Sequence, residues 1–189
     1  NNYDRRYRGF TTLREAITDS INIVTVKTLA QAGVSLGWQY VQEYGFTTVD
    51  SRDMNEALAL GGITQGVSNL ELTAAYAAIA NQGTYTRPVF YSQVIDSNGR
   101  VLLDNTTPTT HTVLKASTAS LLTQGMTSVI TEGTGTSAKL DGKMPVSGKT
   151  GTTSSEYDLW FCGYTPYLTA SIWTGYDENV SLSGDQAYH

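Results

Sequence analysis

Pro145-Val146-Ser147-Gly148-Lys149-Thr150-Gly151-Thr152-Thr153-Ser154 reads as a strand crowded with hydroxyls and glycine, with a Lys-Thr-Gly triplet at its centre. Successive side chains of a strand point to opposite faces, so Thr150 and Thr152 share one face and Lys149 lies on the other. Gly151 carries no Cβ and leaves room for close approach of a backbone or a ligand. Two further strand-like runs follow, Tyr157 to Tyr164 and Leu168 to Tyr176. With Met144 to Thr153 they form three runs joined by short connections such as Thr165-Pro166, which predicts an antiparallel meander. The runs are apolar on both alternations, as in Leu159-Trp160-Phe161-Cys162, so helices are expected on both faces of the sheet.

Upstream of this sheet, to about residue 140, the chain reads as mostly helical. Thr12-Leu13-Arg14-Glu15 is a capping-box pattern, predicting a first helix that runs to about Asp19. Asn22 to Gln31 carries Ile23, Val26, Leu29 and Ala30 at helical spacing, and Gly33 is placed to end it. Ser20-Ile21-Asn22 therefore falls at a helix junction, where rigid elements can hold side chains together in a cleft. Val34 to Tyr44 predicts a third helix ending at Gly45. Ser68-Asn69-Leu70-Glu71 is a second capping box, opening an alanine-rich helix from Leu70 to Asn81 that Gly83 closes. Val89 to Ile95 and Val101 to Asp104 flank Asp96-Ser97-Asn98-Gly99, whose Asn-Gly pair signals a β-hairpin within about 84–104. Leu114 to Ile130 predicts a long amphipathic helix, ended by Gly133-Thr134-Gly135. No repeat, low-complexity tract or domain boundary interrupts residues 1–189.

At 189 residues and 40% hydrophobic content the chain is long enough for a core and fits one domain or most of one. Net charge is -5, and the only basic run is Arg5-Arg6-Tyr7-Arg8, which argues against a nucleic-acid partner. That run reads as a solvated face or a contact to further chain. The longest purely apolar stretch, Ala74 to Ala80, is too short to span a membrane, and no signal-peptide pattern opens the chain. Cys162 is the single cysteine, so there is neither an internal disulfide nor a Cys-based zinc site. Flanked by Trp160, Phe161 and Tyr164, it reads as a buried structural thiol. The two histidines, His111 and His189, give no material for a Ser-His-Asp triad or a His-Glu-x-x-His metal motif. No metal and no cofactor is expected, and any serine chemistry here must use a lysine base.

Several segments agree with one family in its order: Ser20-Ile21-Asn22, then Leu58-Ala59-Leu60-Gly61-Gly62 leading to Gly66-Val67-Ser68, Glu132-Gly133-Thr134-Gly135-Thr136, Gly148 to Thr152, and Asp158-Leu159-Trp160-Phe161-Cys162-Gly163-Tyr164-Thr165-Pro166. Together they resemble the transpeptidase domain of class A, bifunctional penicillin-binding proteins, over most of the chain. Ser-x-Asn and Lys-Thr-Gly are two elements of that motif set, and Ser-x-x-Lys is the third. The resemblance implies a penicillin-binding protein/β-lactamase-like fold: α/β of the α+β type, an antiparallel sheet covered by helices on both faces, incomplete at both ends. No serine in the 189 residues is followed three positions later by lysine. Thr136-Ser137-Ala138-Lys139 comes closest, with threonine in the serine position and in a Gly-Thr-rich turn. In the family a Ser-x-x-Lys helix precedes Ser-x-Asn, and a glycosyltransferase domain and a membrane anchor precede that. The nucleophile is thus expected outside this chain, and the isolated piece is expected to be inactive.

The resemblance also implies roles. The serine attacks the D-Ala-D-Ala carbonyl of a peptidoglycan stem peptide, releases D-Ala and passes the acyl group to an amine of a neighbouring strand; β-lactams acylate the same serine. Ser20 relays a proton between the lysine of the absent Ser-x-x-Lys and Lys149, Lys149 supplies positive charge that favours the carboxylate and a deprotonated relay, and Asn22 holds the amide of the acyl chain. Thr150 and Thr152 bind the terminal carboxylate, Gly151 lets substrate approach, and the Thr152 N–H is an oxyanion donor. The expected location is the extracytoplasmic face of a bacterial cell membrane, anchored by a segment outside this chain. A β-lactamase or D,D-carboxypeptidase is the nearest rival, but the Glu-x-x-Leu-Asn run of a class A β-lactamase is absent. A non-catalytic β-lactam sensor or binding module is the other. A sheet lacking an N-terminal strand exposes an edge, so self-association of the isolated chain is expected.

Overall fold

Thr12 and Glu15 cap each other as their spacing requires: the Thr12 N–H donates to Glu15 Oε2 at 2.8 Å and the Glu15 N–H donates to Thr12 Oγ1 at 3.2 Å. They open α1 (Leu13–Thr18). The computed structural model describes residue 2 and residues 5–182; His189 lies outside the described residues. α2 (Asn22–Ala32) and α3 (Val34–Glu43) follow, broken at Gly33, whose φ of 103° favours glycine. Two 3₁₀ turns, Ser51–Asp53 and Glu56–Leu60, lead to α4 (Asn69–Ala80).

The second capping box forms too, and Glu71 does double duty. It accepts from the Ser68 N–H at 3.1 Å and, through its other oxygen, from the Thr47 N–H at 3.0 Å and hydroxyl at 2.6 Å. Ser68→Ala removes the cap on the Glu71 N–H and is expected to cost about 1 kcal/mol, read as a lower urea midpoint with an unchanged slope.

The β-excursion is richer than its sequence suggested. β1 (Thr84–Thr86) pairs antiparallel with β4 (Thr110–Thr112), and β2 (Gln93–Ile95) with β3 (Val101–Asp104). The expected strand from Val89 begins only at Gln93. Pro88, with no N–H to give a ladder, ends the first pairing just after the Arg87 N–H donates to Thr109 O at 2.9 Å. The hairpin turn is built on Asp96, whose Oδ1 accepts from the N–H groups of Asn98 and Arg100 at 2.9 Å each. Within it Gly99 takes a φ of 80°.

α5 (Ala116–Thr131) starts two residues after the expected Leu114 and ends where the N–H groups of Gly133 and Gly135 both turn back to Val129 O. The Thr136–Ala138 segment is a 3₁₀ turn, not the start of an α-helix. The remaining strands form the predicted meander, in the order β5 (Ser147–Thr152), β6 (Asp158–Tyr164), β7 (Thr169–Gly175), all antiparallel. Its register aligns Lys149 with Cys162 and Ser171, and Gly151 with Trp160 and Trp173.

α5 and α4 pack on the face that carries Ser147, Cys162 and Tyr164. Hydroxyl contacts stitch the layers: Thr127 to Ser147 at 2.8 Å, Thr123 to Tyr164 at 2.7 Å, Thr73 to Ser171 at 2.5 Å. The antiparallel sheet with a helical cover is therefore present. On the opposite alternation Ile172 is 61% exposed and Ala170 is exposed, so the expected second cover does not form among the described residues. The apolar signal there is real, but a sheet face records only that something is to be buried, not what buries it.

The helical side has its own core of Ala74, Ala78, Tyr85 and Val113, with Tyr44 and Leu114 against it. His111 belongs to this part of the structure, its Nε2 within 2.7 Å of Glu43 O and its ring 5.1 Å from that of Tyr85. Cys162 is buried as expected, and burial pushes its thiol up to about 12. Among the described residues no helix is long and apolar enough to cross a membrane.

Candidate active site

The link between α1 and α2 is only three residues, and Ser20 takes a φ of 55° there. A non-glycine residue in the left-handed region costs about 1 kcal/mol or more and persists only where its surroundings hold it. Ser20 caps no helix: Ile21 is the N-cap residue of α2 and makes no side-chain cap. Its hydroxyl instead accepts from Lys149 Nζ at 2.7 Å.

Lys149 leaves β5 on the helix-packed alternation, and its Nζ also donates to the carbonyl of the next residue, Thr150, at 2.9 Å. Thr153 and Asp158 are bonded backbone to backbone, so the odd-numbered residues of β5 turn their peptide groups to β6. The peptide groups of Thr150 and Thr152 consequently point out of the sheet along an edge that no strand among the described residues covers. Lys149 thus curls over that edge to reach Ser20. Among the described residues no carboxylate pairs with its ammonium. Burial pulls its pKa down from the ordinary 10.5 to about 8.

Thr150 and Thr152 share the opposite alternation, as predicted. Thr150 Oγ1 lies 2.7 Å from Thr134 Oγ1, and Thr152 is exposed. Asn22, the first residue of α2, faces Thr152 across a cavity of about 440 Å³ whose wall continues through Thr153, Ser154 and Ser155. Gly151 lies on the Lys149 alternation, where an added Cβ would meet the Trp160 Cβ at 3.3 Å, so the room it leaves is on the tryptophan side of the sheet. Ser147, the first residue of β5, is buried against α5 and donates to Thr123 O at 3.2 Å, out of reach of any substrate.

The structure brings Ser20 and Lys149 into contact, and places Asn22 and Thr152 on one cavity. Thr134 was missed as a site residue. It stands in the Gly133-Thr134-Gly135 turn, which the sequence marked as a helix stop and as part of a family-matching segment without giving Thr134 a site role, and its N–H donates to Thr18 O at 3.3 Å. This turn joins the end of α5 to the end of α1, two residues before Ser20.

A hydroxyl–lysine pair set against the free edge of a hydroxyl-rich strand is a layout suited to acyl transfer. The family model for the penicillin binding protein transpeptidase domain matches residues 1–177. The chain belongs to this family, in its class A branch. It is 40% identical to penicillin-binding protein 1F of Bacillus subtilis over 196 residues, 99% of this chain and 27% of that protein. It is 39% identical to penicillin-binding protein 1A of Clostridium acetobutylicum over 184 residues, 97% of this chain and 22% of that protein. The chain thus spans about a quarter of the length of these curated relatives. The fold is similar to that of penicillin-binding protein 1A from Haemophilus influenzae, with a TM-score of 0.82 at 24% identity, covering 94% of this chain and 32% of that one.

Proposed function

We propose that this chain forms one wall of a serine-type D,D-transpeptidase site in a longer, membrane-anchored protein on the extracytoplasmic face of a bacterial cell. The observation that carries the reading is the 2.7 Å contact between Lys149 Nζ and Ser20 Oγ. A hydroxyl both donates and accepts, so Ser20 can pass a proton between a base and Lys149. With its pKa near 8, Lys149 exchanges a proton readily close to neutral pH.

The nucleophilic serine lies outside these 189 residues and approaches the free edge of β5. It attacks the penultimate D-Ala carbonyl of a stem peptide, and the tetrahedral oxygen accepts from the Thr152 N–H, a donor worth about 3 kcal/mol in comparable sites. D-Ala leaves with a proton delivered through Ser20. Thr150 and Thr152 hydroxyls, with Lys149 nearby, hold the terminal carboxylate, and Thr134 orients the Thr150 hydroxyl. Asn22 binds the amide of the acyl chain. The acyl group then passes to an amine, or stays on the serine when a β-lactam has supplied it.

Full-length protein given a stem pentapeptide and an amine acceptor is expected to release D-Ala and form the cross-linked product. D-Ala release with water as the sole acceptor favours the hydrolase reading, and the absence of any D-Ala release contradicts an acyl-transfer site.

A further inference from the structure

Ile21, the N-cap residue of α2, has no side-chain acceptor for the N–H groups of the first turn, which the helix itself leaves unbonded. Asn2 supplies one instead. Its Oδ1 accepts from the Ile23 N–H at 3.2 Å, a group that an N-cap side chain ordinarily takes. Asn2 is only 8% exposed, and it walls the same cavity of about 440 Å³ as Asn22 and Thr152. Its other polar groups close a turn: Nδ2 donates to Arg6 O at 2.7 Å, and the Asn2 carbonyl accepts from the Arg5 N–H at 3.0 Å. Arg5 takes a φ of 57° there, a conformation that persists only where its surroundings hold it. Just beyond, Arg8 pairs with Asp19, the C-cap residue of α1. Asn2 and Arg8 thus grip the two helix ends that flank Ser20.

The Ile23 N–H belongs to the peptide plane that follows Asn22. Holding this plane fixes the backbone on one side of Asn22, and with it the direction in which the Asn22 side chain leaves the helix. We propose that Asn2 is a positioning residue that aims the Asn22 side chain at the amide of the acyl chain. The inference rests on the transpeptidase reading, which gives Asn22 that role. The residue type at position 2 follows from its two side-chain bonds, since Oδ1 must accept from Ile23 while Nδ2 donates to Arg6. Aspartate keeps the acceptor and brings a charge favoured at a helix N-terminus, whereas alanine keeps neither bond.

The test compares two β-lactams on the full-length protein. Benzylpenicillin carries a side-chain amide for Asn22, whereas aminopenicillanic acid has a free amine in its place and no amide to hold. The ratio of their acylation rates does not depend on how much of a preparation is folded, so a merely structural role leaves it unmoved. Asn2→Ala is expected to lower the ratio, benzylpenicillin over aminopenicillanic acid, about fivefold, the worth of one hydrogen bond of ordinary strength. Asn2→Asp is expected to keep it within about twofold of the parent. In an Asn22→Ala background, where the group to be aimed is gone, Asn2→Ala is expected to leave the ratio as it is. An unaltered ratio in Asn2→Ala, a fall that Asn2→Asp shares in full, or a further fall in the Asn22→Ala background each overturns the proposal. Any of these with a parent that both probes acylate sinks this inference alone. A parent that neither probe acylates sinks the transpeptidase reading and the inference with it.

Discussion

Lys149→Met is expected to lower penicillin acylation of the full-length protein by about 10²- to 10⁴-fold, the range for removal of a positioned proton-transfer group, and to make the fold more stable. The two effects have one cause. Burial disfavours the ammonium, and the drop from 10.5 to about 8 corresponds to about 3 kcal/mol against the charged form in the fold. Methionine fills a similar volume without charge. It forfeits the hydrogen bonds to Ser20 and Thr150, worth about 1 kcal/mol each or less for a carbonyl on an edge open to water. The net gain at pH 7 is about 1–2 kcal/mol.

The pH dependence has a definite sign. Because the folded pKa lies below the unfolded one, the unfolded chain holds the extra proton between about pH 8 and 10.5. This group's contribution to stability is therefore lowest below pH 8, rises through that window and is level above it. In Lys149→Met that rise disappears, so the advantage of the variant narrows as pH increases. Urea unfolding at pH 7 and at alkaline pH reads both quantities. A variant less stable than the parent at pH 7 contradicts the account of Lys149 as a buried charge.

Gly133→Ala carries the second large effect, and it acts on the site from behind. A Cβ at this position would sit 2.3 Å from the carbonyl oxygen of Thr18 and 2.9 Å from the Cα of Val129. Both are backbone atoms, so no rotamer change relieves the overlap. The ends of α1 and α5 must part, at a cost of about 3 kcal/mol. The same parting breaks the bond from the Thr134 N–H to Thr18 O, and with it the register that delivers Ser20 to Lys149 and Thr134 to Thr150. A fall in stability together with a loss of acylation at temperatures where the variant is still folded is the expected outcome. Destabilisation with full acylation of the folded fraction places the clamp outside the site.

The parts legible in the sequence were those that neighbours decide. Thr12 with Glu15 and Ser68 with Glu71 announce their helices because a cap is a contact across three residues. Gly33 and Gly45 mark breaks because few other residues take a φ of 103° or 83°. The three-stranded meander followed from short connections between apolar runs. The pairing of Thr84–Thr86 with Thr110–Thr112 escaped notice because three-residue strands joined by a long excursion carry little local signal. The Asn-Gly pair pointed to the right hairpin, although the Asp96 side chain organises its turn.

At the site, the alternation of β5 put Thr150 and Thr152 together and Lys149 apart. That Lys149 returns over the strand edge to Ser20 depends on where the α1–α2 link docks, which is a tertiary fact. Thr134 belongs to the same category. Its hydroxyl acquires meaning only once the turn after α5 is laid against β5.

The most direct measurement is a peptide map of the full-length protein after incubation with benzylpenicillin. A single penicilloyl adduct is predicted on a serine outside residues 1–189, formed much more slowly in Lys149→Met. An adduct on Ser20 or on any other residue of this chain, or no adduct at all, contradicts the account.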